Sequence, residues 1–285
     1  MKNNKKTILI TGASSGIGRH AALRLAQDGH HVFAGVRRKK DKIETENLHP
    51  NIKGVYIDVA NQASIDKAFW YVLKNTDKLD VLINNAGIVT AGPVEFLDIK
   101  HLKQQFDINT FGAVSVSKRF TPLLTGGRII NISSVAASGL FPYLSPYCAS
   151  KRAMDIIMNS FALENKNNIK VISIKPAAIK TPLWDKSIKL CEEAFSQLQE
   201  SEIKKYEKEL YCMKKLAQSA AEKGLEVSAV IDKIVKAVNA ENPKSSYNAG
   251  FSVYIAHLAS LLPQGVLNSI IRTKLKCIDK IRIKS

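Results

Sequence analysis

The sequence predicts an α/β fold, a doubly wound and mostly parallel sheet, on three observations. Short runs rich in Ile and Val alternate with amphipathic stretches through the first two-thirds of the chain, the order of strands and crossover helices in a parallel sheet. These runs show little polar alternation, as expected of strands covered on both faces. The first run also ends in a glycine-rich turn that opens onto a helix. A chain of 285 residues is long enough to bury such a two-sided core within one domain.

In chain order, strands are expected at Thr7–Thr11, His31–Val36, Lys53–Ile57, Val81–Asn84, Arg128–Ile132 and Lys170–Ile174. Gly18–Asp28 reads as a helix with Gly29 at its C-terminal cap. Ser64–Lys74 and Tyr147–Glu164 carry helical spacing. After Pro182 the character changes. Residues 183–225 are charged and helix-prone with no strand signal, and Val227–Val238 resumes an amphipathic pattern. Ser246–Val253 is a candidate seventh strand, and residues 251–285 form an apolar and basic extension. No repeat or linker interrupts the chain, so 1–285 is read as a single domain with a helical insertion.

Composition bounds the function. Hydrophobic residues are 45% and charged residues 24%, the mixture of a soluble globular protein. Cys148, Cys191, Cys212 and Cys277 are scattered, so neither a metal site nor a disulfide framework is indicated, and a cytoplasmic setting is the simplest expectation. Lys2-Asn3-Asn4-Lys5-Lys6 runs into an apolar strand too short for a signal core or a membrane span. The net charge is +17. Its cations are spread without an aromatic-rich basic motif, so no nucleic acid is expected as a partner. Affinity for anionic cofactors or membrane surfaces accounts for the charge at least as well.

The turn after the first strand reads Thr11-Gly12-Ala13-Ser14-Ser15-Gly16-Ile17-Gly18. Its glycines permit close approach of backbone to a pyrophosphate, whose charge a helix N-terminus favours. The spacing is TGxxxGxG, not GxGxxG, and with it the chain resembles the short-chain dehydrogenase/reductase family over about residues 6–185. Further landmarks follow in the family's order: Asp58-Val59, Asn84-Asn85-Ala86-Gly87, Asn109, Ser134, Tyr147-Cys148-Ala149-Ser150-Lys151, and Pro176 with Thr181. The resemblance implies a Rossmann fold and transfer of a hydride between a nicotinamide dinucleotide and a carbonyl/alcohol pair. The extended epimerase-type branch carries TGxxGxxG, which disfavours epimerisation.

It also assigns residues. Gly12, Ser14, Ser15, Gly16, Ile17 and Gly18 would form the phosphate loop, Asp58 and Val59 would meet the adenine, and Asn85, Ala86 and Gly87 would lie by the ribose. The second strand ends at Val36 without a carboxylate and is followed by Arg37-Arg38-Lys39-Lys40. A guanidinium suits a 2′-phosphate in charge and geometry, and Arg37 matches the position that the resemblance implies selects NADP, so NADP is expected over NAD. Lys39 and Lys40 read as a solvated turn. Pro176, Ile179 and Thr181 resemble the nicotinamide clamp. Most members have Gly after that Pro; here it is Ala177, strained if the position needs φ > 0.

Tyr147 and Lys151 are four apart on a helix and share a face. A tyrosine with its ordinary pKa near 10 is a poor base at neutral pH. An ammonium roughly 5 Å away contributes about 3 kcal/mol at an effective dielectric near 20, about two pKa units downward. By resemblance Ser134 bonds the reacting oxygen while Tyr147 moves its proton, Lys151 holds the ribose, and Asn109 supports a water relay; Ser133 is a structural neighbour. Asn109 read alone is equally a helix-bend residue, and Cys148 reads as buried packing.

In this family the segment after Thr181 covers the substrate. Here Leu183, Trp184, Ile188, Leu190, Phe195, Leu198, Tyr206 and Leu210 stand among charges, which favours a lipophilic substrate, though a helix-packing core reads nearly as well. Ile179-Lys180-Thr181-Pro182-Leu183-Trp184 resembles the branch with retinol and 17β-hydroxysteroid dehydrogenases. Alternatives are a non-catalytic NADP-binding redox sensor and a reductase of small polar carbonyl or acyl substrates. A homo-oligomer is expected. In the C-terminal stretch, Leu267, Ile270, Ile271, Leu275, Ile278 and Ile281 recur at helical spacing, with Arg272, Lys274, Lys276, Lys280, Arg282 and Lys284 interleaved against Asp279. Such a helix either packs on protein or makes peripheral contact with a membrane.

Overall fold

Every run read as a strand forms one, because its alternate side chains find apolar cover on both sides. The computed structural model describes residues 5–195 and 199–279. The strands are β1 (Thr7–Ile10), β2 (His31–Val36), β3 (Ile52–Tyr56), β4 (Val81–Asn84), β5 (Arg128–Ile132), β6 (Lys170–Pro176) and β7 (Ser246–Ala249). They pair in parallel in the order β3-β2-β1-β4-β5-β6-β7. Ile8, Ile10, Val32 and Ala34 face one core with α1 (Gly16–Gln27) and α10 (Ser228–Asn239). Leu9, Phe33, Val55 and Ile57 face the other, with α3 (Gln62–Leu73), α5 (Ala113–Phe120) and α6 (Ser145–Glu164). The chain reverses direction across the sheet between β1 and β4, and a doubly wound sheet binds its ligand outside the strand ends at such a point.

Two stretches of helix carried no legible signal. These are α2 (Lys39–Glu46), almost wholly polar, and the helix through α4 (Ile99–Phe106), a π-helical turn at Asp107–Gly112, and α5. The seventh strand is shorter than Ser246–Val253: it stops at Ala249, Gly250 turns with φ +114°, and α11 (Ser252–Ala259) begins. The described residues of 183–225 hold three helices, α7 (Leu183–Phe195), α8 (Glu200–Lys205) and α9 (Glu207–Lys223). The chain then ends its described part in α12 (Gln264–Asp279). Lys2–Asn4, Leu198 and the expected helical residues Lys280, Ile281, Arg282 and Lys284 lie outside the described residues.

Candidate active site

The turn from β1 into α1 is built around contacts that only glycine allows. Gly12 has φ +66°, and a Cβ there would stand 2.8 Å from the Cα of Ala86. A Cβ on Gly18 would overlap the Asn85 amide nitrogen and the Gly12 carbonyl oxygen. That amide is why the space is full. Asn85 Nδ2 donates to the carbonyls of Thr11 and Gly12 at 3.0 and 2.9 Å, while Thr11 Oγ1 accepts from the backbone N–H of Asn85 and Ala86. The loop after β1 is thus fastened to the loop after β4, leaving the N-terminus of α1 facing outward.

Above it lies a cavity of about 450 Å³. At one end are Arg37, Arg38, Asp41, Asp58 and Val59; at the other are Ser134, Phe141, Leu144, Tyr147 and Lys151, with Pro176, Ile179 and Thr181 along one wall. Gly12, Ser14, Ser15, Gly16 and Ile17, from the turn into α1, and Asn85, Ala86 and Gly87, after β4, line it between these two ends. All expected site residues therefore line one cavity except two. Gly18 acts from behind by letting Asn85 in. Asn109 sits fully buried in the π-helical turn, where its Oδ1 accepts from Ile88 N–H (2.8 Å) and its Nδ2 donates to Ile88 O (2.9 Å) and Ser150 Oγ (3.0 Å). A Cβ on Gly87 would fall 3.2 Å from Asn109 Oδ1 and 3.4 Å from Lys151 Nζ. A side chain at Gly87 would thus crowd both. Asn109 therefore stands in the helix bend expected of it when read alone, behind the Gly87 backbone of the cavity wall.

The electrostatics correct one expectation. Burial pushes the Tyr147 phenol up to about 12, and the neighbouring Ser134 hydroxyl pulls it only partly back. Burial likewise holds Lys151 down to about 8, with Asp155 pulling it up. Lys151 does not bring the phenol down as a unit charge would. It is itself desolvated, and its ammonium donates to Ile132 O at 2.8 Å, while the largest influence on the phenol is its own removal from water. Ser134 Oγ accepts from Ala136 N–H at 3.1 Å, capping the short 3-10 turn Val135–Ser138. Cys148 is buried and its thiol is pushed up by burial, which fits packing and not a nucleophile.

Sequence reading missed Asp155. It lies one helical turn beyond Lys151, is buried, and accepts from Ser133 Oγ (2.9 Å, β5 side) and Ser173 Oγ (3.0 Å, on β6), with Lys175 Nζ at 3.7 Å. The i, i+4 spacing from Lys151 was its one sequence signal. Lys186 was also missed: from α7 it reaches across to Ser15 Oγ at 3.2 Å. Arg37 and Arg38 differ in their commitments. Arg38 is held in a bidentate pair with Asp41, both bonds 2.8 Å, which raises its pKa.

The other wall settles two further points. Among the described residues the non-glycine positive φ values belong to Tyr143 and Asn168. Ala177 is therefore unstrained; its N–H simply donates to Ala249 O at 2.8 Å. The Ile179 carbonyl already accepts from Trp184 Nε1 at 2.8 Å. Of the apolar residues expected to face a substrate, Leu183 and Trp184 line the cavity. Phe195 is buried where a Cβ on Gly92 would collide with it, and Tyr206 is bonded outside to Glu95 at 2.7 Å. Ile188, Leu190 and Leu210 are half-buried helix contacts. Helix packing accounts for most of that stripe.

Comparison with known proteins agrees with this architecture. A family model described as short chain dehydrogenase matches residues 6–190. The chain is 34% identical over 253 residues to 3-amino-tetrahydro-pyrrolizinone reductase of Xenorhabdus hominickii, covering 86% of this chain and 87% of the relative. It is 31% identical over 280 residues to NADPH-dependent 3-dehydrocapnine reductase of Ornithobacterium rhinotracheale, covering 94% and 96%. A Burkholderia phymatum short chain dehydrogenase/reductase solved in complex with NAD has the same fold, with a TM-score of 0.78 at 22% identity and coverage of 91% and 94%.

Proposed function

The chain belongs to the short-chain dehydrogenase/reductase family, and on that premise we propose that it is an NADPH-dependent reductase of a lipophilic ketone or aldehyde. That it is an oxidoreductase of CH–OH groups follows from the relatives, which are reductases by name over nearly their whole length. The single observation that carries the finer reading is the convergence of Ser134, Tyr147 and Lys151 on the apolar end of the cavity, opposite two arginines.

A dinucleotide fits the residues present. The glycine cradle admits backbone, and the α1 N-terminus favours pyrophosphate. Lys186 and Ser15 stand beside it, Asp58 and Val59 suit the adenosine end, and Lys151 suits the ribose. Bound there, the reduced cofactor supplies a hydride. The chain's own part is proton chemistry at the carbonyl oxygen: Ser134 bonds that oxygen and Tyr147 Oη gives up its proton to it, so a carbonyl gains one hydride and one proton. A phenol pushed up to about 12 is protonated at neutral pH, the form from which a carbonyl oxygen can take a proton. Asp155 keeps Ser133 and β6 in place behind them and biases Lys151 toward its charged form.

Residues 183–225 serve as the cover of the substrate end, through Leu183 and Trp184. With Val135, Phe141 and Leu144 they make that end mainly apolar, which supports a lipophilic substrate over a small polar one. NADPH consumption measured across ketones and aldehydes of rising apolar bulk should show kcat/KM rising with bulk. A flat series, or preference for small polar carbonyls, would overturn the substrate class without touching the chemistry.

The cofactor reading has its own test. Arg38 is engaged by Asp41, so Arg37 is the better candidate for a 2′-phosphate. The name of the Ornithobacterium relative specifies NADPH, which supports the same choice. Charge-assisted contacts are worth about 1.5–3 kcal/mol, so Arg37→Asp should erase a preference for NADPH of roughly tenfold to a hundredfold. Equal kcat/KM for NADPH and NADH in the parent enzyme would refute it.

A further inference from the structure

α11 and the turn into α12 expose more apolar surface than any solvated helix requires. Of the described residues of α11, Val253 is the buried one. Phe251 is 77% exposed, Leu258 65% and Leu261 70%, with Tyr254, Ile255, Leu262 and Val266 exposed beside them. Surface helices of globular proteins present one apolar stripe and one polar face; α11, SVYIAHLA, has no such polar face. Scattered apolar residues need no explanation, but a contiguous patch marks a contact surface.

Of the two roles expected of the C-terminal helix, packing on protein and contact with a membrane, the described part of α12 supports the first. Leu267 and Ile271 are half-buried, and α12 packs on α9. The helix packs on protein along that line, and the open apolar face lies one element earlier. α11 itself is fixed, packing on Val135–Ser138 immediately after Ser134.

We propose that the face made by α11 and the α11–α12 turn is a docking surface for an anionic lipid bilayer. Charge selects that occupant. Residues 242–278 contain no Asp or Glu, yet include Lys244, Arg272, Lys274 and Lys276, and Lys280, Arg282 and Lys284 follow against Asp279 alone. A two-fold contact between copies sets the same patch against itself. Such a contact adds no carboxylate from residues 242–278 to offset their cations, whereas anionic headgroups do offset them and acyl chains receive Phe251, Leu258 and Leu261. Tyr254 suits the headgroup level, with an apolar ring and a polar tip. No helix among the described residues is long and apolar enough to cross a membrane, so the contact is peripheral. It does not depend on which carbonyl the enzyme reduces. It does place the bilayer one helix away from the Val135 and Ala136 wall of the cavity.

The test is sedimentation of the full chain with vesicles. It should pellet with mixed phosphatidylcholine and phosphatidylglycerol at low salt, release as salt rises, and stay in solution with phosphatidylcholine alone. The double variant Leu258→Glu/Leu261→Glu changes exposed positions, so turnover on a water-soluble carbonyl should be unaltered while vesicle partitioning falls about tenfold or more. Parent protein left in the supernatant with anionic vesicles at low salt overturns the proposal. So does a variant that pellets as fully as the parent. If instead the parent is an oligomer that the variant dissociates, and vesicles bind neither, the face is a self-contact and the bilayer assignment is wrong.

Discussion

Tyr147→Phe should lower the reductive kcat by roughly 10²–10⁴-fold, the usual contribution of a positioned general acid, while leaving NADPH affinity close to that of the parent. Tyr147 stands on the cavity wall with Ser134 against it, and burial pushes its phenol up to about 12. At pH 7 the phenol is then protonated. The group is a proton donor over the whole working range, and phenylalanine removes the donor and little else. Oxidation of the alcohol needs the scarce phenolate, so its rate should climb with pH where the reductive rate does not. Single-turnover absorbance decay of NADPH with a saturating carbonyl separates the chemical step from binding. A Phe variant within tenfold of the parent would remove Tyr147 from the reaction.

How much of this could be read in the sequence follows from how local each cause is. β2, β4 and β5 fall on the expected residues because an Ile/Val run between turn residues has few other stable fates. The glycine loop was legible because its glycines answer to steric demands at fixed spacing. The helix through Asp107–Gly112 was not. Asn109 has its place from bonds to Ile88 and Ser150, 21 and 41 residues away, and no spacing rule reports those. Asp155 escaped for the same reason, since its partners Ser133, just after β5, and Ser173, on β6, are 22 and 18 residues away. The phenol's pKa moved opposite to the sequence expectation because a Coulomb estimate treats two charges in a uniform medium. Burial depth, which decides the sign here, is a tertiary property. Ala177 gave a false alarm: the residue type raised the question of φ, but only the backbone answers it.

Lys151→Met should nearly abolish turnover and at the same time leave the fold as stable as the parent's or more so. The two effects have one origin. Lys151 is buried, and burial holds it down to about 8 from an ordinary value of 10.5. Below pH 8 the lysine is protonated whether the chain is folded or not, and the whole cost of keeping that charge out of water falls on the folded state. Between pH 8 and 10.5 the folded protein sheds its proton while the unfolded chain keeps one, so stability rises with pH; above 10.5 both are neutral and the cost is gone. At 1.36 kcal/mol per unit the cost is roughly 3 kcal/mol, reduced in practice by the bond to Ile132 O. Chemical denaturation at several pH values should therefore show a climb above pH 8 in the parent that is missing in the Met variant. For catalysis the sign is opposite. The ammonium that strains the fold is the group suited to the ribose and to the tyrosine's surroundings, so the parent's reductive kcat/KM should decline as pH rises past about 8. Loss of the charged donor should weaken NADPH binding roughly tenfold to a hundredfold on top of the loss in kcat. Tyr147→Phe spares binding and Lys151→Met damages both, so the pair separates proton donor from positioning cation. A Met variant that unfolds at lower denaturant than the parent at pH 7, or that keeps its NADPH affinity, would mean that Lys151 serves packing and not the cofactor.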